Sequence, residues 1–389
     1  MPHDNLVFVF FVIFSGAALL ATLALFARQT LVVAYILLGL LAGPNISGLI
    51  TDTGLISDIS SIGIIFLLFL LGLDLRPSEL LNMLGKAAWV TVISSLLFAA
   101  IGMAAGLLAG FGHRDALLIG AAMMFSSTIL GLKLLPTTML HHQHMGRVII
   151  AILLLQDIIA IAILLLLEGY SAGSADPLDI VWVYATIPAL GGSAYAFNRF
   201  VLHRLLSRFD TIREYLFLIA IGWCLGMAEL AGALGLSHEI GAFIAGVALA
   251  SRPVCGFIAE SLKPLRDFFL VIFFFSLGAG FDLTALNQIG LPAALLALTL
   301  LIVKPLTFKA LFQSVKERRD KCLEMGARLG HLSEFSLLIA VIALQSGFIV
   351  EKTAYFIQTA TLLSFILSSF YIVRTFPTPI ATDDRLRRD

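Results

Sequence analysis

Hydrophobic positions along this 389-residue chain are not spaced as the stripe of an amphipathic helix. They come as long apolar runs separated by Gly, Pro and clusters of charge. A helix that crosses a bilayer takes roughly 20 apolar residues, and the runs predict thirteen such spans. They lie at about 5–27, 31–50, 60–74, 85–110, 115–135, 146–168, 179–200, 214–233, 236–251, 268–282, 291–313, 327–346 and 354–375. The period-two alternation of a membrane barrel is absent, so the expected class is an all-α polytopic membrane protein. The first run, Val7 to Phe26, has neither a basic leading region nor an A-x-A site after it. It reads as a retained helix rather than a cleaved signal.

Composition agrees with this class: 59% of residues are hydrophobic and 13% charged, against about 25% charged in soluble domains. The three cysteines are far apart and suggest neither disulfide nor metal. Formal net charge is zero, but its distribution is uneven. Of 25 Lys and Arg residues, 21 fall in or beside the connections after odd-numbered spans. Arg114 and Lys352 lie on the other side, and Lys133 and Lys304 lie within spans. Since basic loops stay cytoplasmic, the C-terminus is expected inside and, with thirteen spans, the N-terminus outside.

The chain also repeats itself weakly. VAYILLGLLAGP (33–44) aligns with IGAFIAGVALAS (240–251), bringing Gly39 onto Gly246. IIFLLFLLGLDL (64–75) aligns with IFFFSLGAGFDL (272–283), and MMFSSTI (123–129) with HLSEFSL (331–337). The shift covers seven spans, so the copies enter the membrane from opposite sides. The expected division is a first repeat over 1–178 (spans 1–6), a linker span over 179–213, an inverted second repeat over 214–376 (spans 8–13) and a tail over 377–389. Inverted repeats characterise secondary transporters, whose sites lie near the midplane where discontinuous helices meet. FSST (125–128) and GHLSEF (330–335) are the expected breaks, making Ser126, Ser127, Thr128, Ser333 and Glu334 candidate site residues. The plainer reading of the hydroxyls, bonding to carbonyls one turn back, stands beside this one.

Ionisable residues within a span are costly and mark function by default. Asp157, beside Gln156 in LLLQDIIAIAILLLL (153–167), is the deepest. It is expected to exchange a proton for a cation. Gln156 can bond to a broken helix but cannot take up a proton. Lys304, next to Pro305, could pair with Asp157 or donate to the carbonyls of a broken helix. Asp74 and Asp282 read as caps or gates, Lys133 can snorkel to the interface, and HHQH (141–144) reads as a solvated loop.

MGRVIIAILLLQDIIAI (145–161), SSTILGLKLL (126–135), GAFIAGVALAS (241–251), IGIIFLLFLLGLDL (62–75) and GHLSEFSLL (330–338) resemble the monovalent cation:proton antiporter-2 family, in its Kef-type potassium efflux branch. The resemblance implies the sodium/proton antiporter fold, with a dimerisation domain, a core domain and two crossing broken helices beside an ion-binding aspartate. By position, Asp157 matches that aspartate and Gln156 the residue before it. Ser126, Ser127 and Thr128 match the first crossing helix, Ser333 and Glu334 the second, and Lys304 the basic residue of a neighbouring core helix. Electrogenic sodium relatives carry Asp-Asp where this chain has Gln-Asp, which implies electroneutral potassium/proton exchange by alternating access. A sodium/proton antiporter and a channel-like potassium pathway are the alternatives. A homodimer in a bacterial inner membrane is expected, with no enzymatic activity, no nucleic-acid partner, no cofactor and no metal beyond the transported cation. Kef-type proteins usually continue into a cytoplasmic nucleotide-binding domain. No GxGxxG introduces one here, so a regulatory domain or subunit would lie outside this chain.

Overall fold

The structure is a computed structural model that describes residues 6–27, 29–44, 46–50, 53–74, 85–128, 144–171, 177–209, 212–236, 238–250 and 255–378. Among them every regular element is a helix: α1 (Leu6–Phe26), α2 (Leu31–Ala42), α3 (Thr53–Asp74), α4 (Lys86–Leu108), α5 (His113–Met123), α6 (His144–Ser171) and α7 (Pro177–Phe197). A π-helical turn, Asn198–Leu202, joins α7 to α8 (His203–Arg208). Then come α9 (Arg213–Ala233), α10 (His238–Ala250), α11 (Cys255–Ala279), a 3₁₀ turn (Leu283–Ala285), α12 (Leu286–Ser314), α13 (Arg319–Arg328), α14 (Glu334–Gln345) and α15 (Glu351–Thr375). Among the described residues, five helical stretches are long and apolar enough to cross a membrane, and five more apolar stretches are shorter, including α2, α10 and α14.

Helix ends depart from the apolar runs where local chemistry overrides hydropathy. The run ending at 50 stops being helical at Ala42. Pro44 has no N–H to donate and disfavours helical backbone in the residue before it. The chain then folds back on the helix end, with Ile50 N donating to Ala42 O (3.0 Å) and Gly48 N to Gly43 O (3.0 Å), Gly48 taking a φ of +61°. In the other direction, α11 starts well before its apolar run. Its leading turns are polar, with exposed pairs at Glu260–Lys263 and Arg266–Asp267. The run at 327–346 is two helices, α13 and α14, with Leu329–Ser333 between them.

The chain divides into two compact units, each drawing on early and late sequence. The first comprises the described parts of Met1–Ser15, Leu38–Leu81 and Glu168–Gly280. In it α10 packs on α3, α9 and α7, and α3 also packs on α11. Small residues let these backbones touch, as is common between helices in a membrane. A Cβ built on Gly39 would lie 2.0 Å from Phe275 O, and one on Gly246 would lie 2.1 Å from Phe69 O. These two glycines are the pair that the repeat aligns, and their partners sit on α11 and α3, the other aligned pair. The same close approach is therefore made twice, once with each copy's glycine.

The second unit comprises the described parts of Gly16–Leu37, Asn82–Leu167 and Phe281–Asp389. Here α12 lies against α4, α13 and α15, while α14 packs on α15 and α5. Phe98 of α4, Ile152 of α6, Phe308 and Phe312 of α12 and Met325 of α13 form a fully buried cluster. This cluster fixes α6 and α12, which carry Asp157 and Lys304.

Gly246→Val tests the contact in the first unit. Branched carbon placed against Phe69 O must push α3 and α10 apart, a form of overpacking that costs about 3 kcal/mol. The melting temperature of the detergent-solubilised protein is expected to fall, and an unchanged value would remove the close approach from the account.

Candidate functional site

The site lies where two helices of the second unit stop. Backbone that leaves the helix at membrane depth loses its own hydrogen bonds and has no water to replace them. After α5 ends at Met123, Phe125, Ser126 and Ser127 are non-helical. After α13 ends at Arg328, the chain is non-helical from Leu329 to Ser333. The two stretches bond to each other. Ser126 Oγ donates to Leu329 O (2.7 Å) and Ser127 N to Leu332 O (3.1 Å). Ser336 Oγ returns the exchange by donating to Ala122 O (2.5 Å).

Gln156 fills the first break from α6. Its Oε1 accepts from Ser126 N (3.0 Å) and its Nε2 donates to Met124 O (3.3 Å), so the side-chain amide acts as a missing peptide group. Lys304 joins both breaks from α12, its Nζ donating to Phe125 O (2.6 Å) and His331 O (3.1 Å) and lying 5.0 Å from the centre of the Phe98 ring. Of the two roles open to Lys304, the one seen is donation to carbonyls. Those carbonyls follow the C-termini of α5 and α13, where helix dipoles place partial negative charge. Pro305 presses on the second break, since a Cβ on Gly330 would lie 2.7 Å from its ring.

Asp157 is one residue further along α6 and 1% exposed. Thr128 Oγ1 donates to its two oxygens at 3.3 and 3.1 Å. The carboxylate thus sits at the end of the first break, with a hydroxyl oxygen beside it. A carboxylate taken out of water has to be balanced, by a bound proton or by a cation. Two kinds of hard oxygen donor at one place suit a cation of the same character.

Ser333 and Glu334 begin α14. Ser333 is its N-cap, Oγ accepting from Phe335 N (3.1 Å), and Glu334 is buried in the first turn, where the helix dipole favours a carboxylate. Asp282 caps the 3₁₀ turn by accepting from Thr284 N and Oγ1 at 2.8 and 2.7 Å. Lys133 and residues 141–143 lie outside the described residues, as do the side chains of Asp74 and His144.

Two groups at the crossing were not singled out by sequence reasoning. His331 is wholly buried, and its Nδ1 accepts from Ser127 N (3.0 Å). Ser364 Oγ of α15 accepts from Leu332 N (2.9 Å). His331 was signalled only by its place in GHLSEF. Ser364 was signalled by its hydroxyl in an apolar run, a signal shared with too many neighbours to single it out. Among the described residues no group of three or more His, Cys, Asp or Glu side chains is placed to hold a metal ion.

Comparison with known proteins agrees with the fold. The profile of the family described as "Sodium/hydrogen exchanger, transmembrane" matches residues 12–376. The chain is 27% identical over 349 residues to the iron transporter MagA of Paramagnetospirillum magneticum, covering 89% of this chain and 80% of MagA. It is 30% identical over 353 residues to the putative K(+) efflux antiporter KefB of Alkalimonas amylolytica, covering 87% of this chain. That match spans 52%, about half, of KefB's length. The sodium proton antiporter MjNhaP1 from Methanocaldococcus jannaschii, solved at pH 8, superposes with a TM-score of 0.71 over 92% of this chain and 93% of its own, at 16% identity. It shares the fold.

Lys304→Ala leaves Phe125 O and His331 O buried without their donor. Each orphaned acceptor costs about 1–3 kcal/mol. The variant is expected to melt well below the parent in detergent, and an equal melting temperature would argue against this role.

Proposed function

The chain belongs to the sodium/hydrogen exchanger transmembrane family, and on that premise we propose that it exchanges a monovalent cation, potassium, for a proton by alternating access, with Asp157 as their shared site. The observation that carries the reading is the division of labour between neighbours. Gln156 spends both ends of its amide on the broken backbone and leaves Asp157 as the titratable member of the pair. One carboxylate then alternates between one proton and one cation, and the exchange moves no net charge. The antiport activity named for the KefB relative supports potassium, and that named for MjNhaP1 supports sodium as the competing substrate. Neutrality of Gln156 favours the first.

The protein acts as a homodimer in a bacterial inner membrane, N-terminus outside, with thirteen spans in two inverted repeats over 1–178 and 214–376. The basic connections after odd-numbered spans support that orientation. A cytoplasmic regulatory domain or subunit would act from the inner face.

The test is antiport in proteoliposomes with potassium, sodium and rubidium compared at two pH values. Potassium-driven proton movement insensitive to an imposed membrane potential is expected. Asp157→Asn, which neither binds a proton nor balances a cation, is expected to reduce exchange to background while the protein stays folded. Full exchange in that variant would end the proposal, and potential-dependent exchange would end its electroneutral form. Flux at channel rates without an opposing proton gradient would point to a pore.

A further inference from the structure

The last turn of α13 carries a buried cation that ion exchange at Asp157 does not use. Arg328 is 1% exposed, and its guanidinium keeps its charge at any ordinary pH. Its Nε and Nη2 donate to Glu324 Oε1, one turn back, at 3.2 and 2.8 Å. Lys321 Nζ approaches the other oxygen of that carboxylate at 3.4 Å. Two cations beside one carboxylate suit the C-terminal end of a helix, where the dipole is negative.

A further partner comes from outside α13. After α15 the backbone becomes extended at Phe376 (φ −124°, ψ 155°). Arg328 Nη2 donates to Pro377 O (2.8 Å), and the guanidinium carbon lies 6.0 Å from the centre of the Phe376 ring. Phe376 N still donates to Ile372 O (2.9 Å), and Thr378 is wholly buried. Residues 376–378 therefore form a short strap, continuous with α15 at one end and tied to α13 by Arg328. An ammonium is a point charge, whereas the fork of a guanidinium serves a carboxylate and a carbonyl at once.

The opposite face of α13 shows what the strap holds. Gly326 and Gly330, four residues apart, both press on Pro305 of α12, and a Cβ on Gly326 would lie 2.4 Å from its carbonyl oxygen. Glycines bring two backbones together but offer no side chain to keep them there. Residue 328 lies about 200° round the helix from residue 326, so the strap bears on the far side. The last turn of α13 is thus held between Pro305 and Pro377. Leu329 and His331, just beyond it, supply the carbonyls that Ser126 and Lys304 meet. The same α15 bonds the break through Ser364 Oγ, and its first turn holds α5, Thr353 Oγ1 donating to Asp115 Oδ1 (2.7 Å).

We propose, on the reading of Asp157 as the exchange site, that Arg328 is a positioning residue for it. By gripping the strap at 376–378, Arg328 keeps the last turn of α13 on α12 and the carbonyls of Leu329 and His331 where their donors reach them. Its effect passes from the second break to Ser126, from Ser126 N to Gln156, and from Gln156 to the neighbouring Asp157.

Amide hydrogen exchange read by mass spectrometry in detergent, paired with potassium/proton antiport in proteoliposomes, tests this. Arg328→Met removes the guanidinium and leaves Glu324 its contact with Lys321. Phe376→Ala with Pro377→Gly loosens the strap while Arg328 stays in place. In both variants the amides of 329–333 are expected to exchange about tenfold faster than in the parent, and those of α10, in the other unit, at the parent's rate. The apparent KM for potassium is expected to rise about fivefold with the maximal rate kept, the mark of weakened ion binding. Arg328→Lys, which keeps the charge without the fork, should restore part of both. Unchanged protection at 329–333 in the strap variant would overturn the strap, even where Arg328→Met fails to fold. Faster amide exchange with KM unchanged would leave Arg328 a purely structural role and overturn the positioning one. Absence of antiport in the parent would end the reading of Asp157, while protection at 329–333 would still decide the strap.

Discussion

Backbone that leaves the helix inside a membrane must find a partner for each N–H and C=O it frees, and Ser126, Gln156, Lys304, His331 and Ser364 of the second unit answer that requirement. Met124 O, Phe125 O, Ser126 N, Ser127 N, Leu329 O, His331 O and Leu332 N are each met by another group of the same unit. The residue types follow from what each site lacks. Two carbonyls without donors are met by Lys304, which only donates. A carbonyl and an N–H side by side are met by Gln156, which does both. A glutamate there would accept from Ser126 N but could not, when ionised, donate to Met124 O. The neutrality of residue 156 thus suits the broken helix, and the charge count of the pair follows from the geometry of the crossing.

Three residues at the crossing were legible in the sequence because each is expensive where it stands. Asp157 and Gln156 interrupt fifteen residues that are otherwise aliphatic, and Lys304 sits in a similar run. Their pairing was not legible. Lys304 reaches Phe125 O across 179 positions and Ser336 reaches Ala122 O across 214. The accepting atoms are backbone, which residue type does not mark. His331 shows the same gap, because a histidine within a broken stretch does not reveal that its ring replaces a lost carbonyl for Ser127. Element boundaries missed for another reason. Hydropathy registers the bilayer rather than the helix, so it overran the stop at Pro44 and overlooked the polar leading turns of α11.

The repeat was legible only as three weak alignments, and packing gives it physical content. Gly39 against Phe275 and Gly246 against Phe69 are one contact made twice with the halves exchanged. A side chain at either glycine would be driven into a backbone oxygen, so the alignment of those positions carries more weight than that of the aliphatic residues around them. Interchangeable Leu, Ile and Val resemble each other by chance, whereas a required absence of side chain does not.

The two units are held in different ways, and this bears on how an ion could gain access to Asp157. Close glycine contacts in the first unit involve little polar chemistry and depend on shape. The crossing of the second unit depends on hydrogen bonds that share members: Lys304, Gln156 and His331 each serve the broken backbone, and Ser126 and Ser127 each bond to more than one neighbour. Breaking the crossing to admit an ion would orphan several of these groups together, at about 1–3 kcal/mol apiece. Thr128, at the edge of the break, is the partner of Asp157 with some exposure, and its hydroxyl is bound to the carboxylate rather than to the crossing. On the proposed reading, the Thr128 contact can rearrange to open a way to Asp157 without breaking the hydrogen bonds of the crossing.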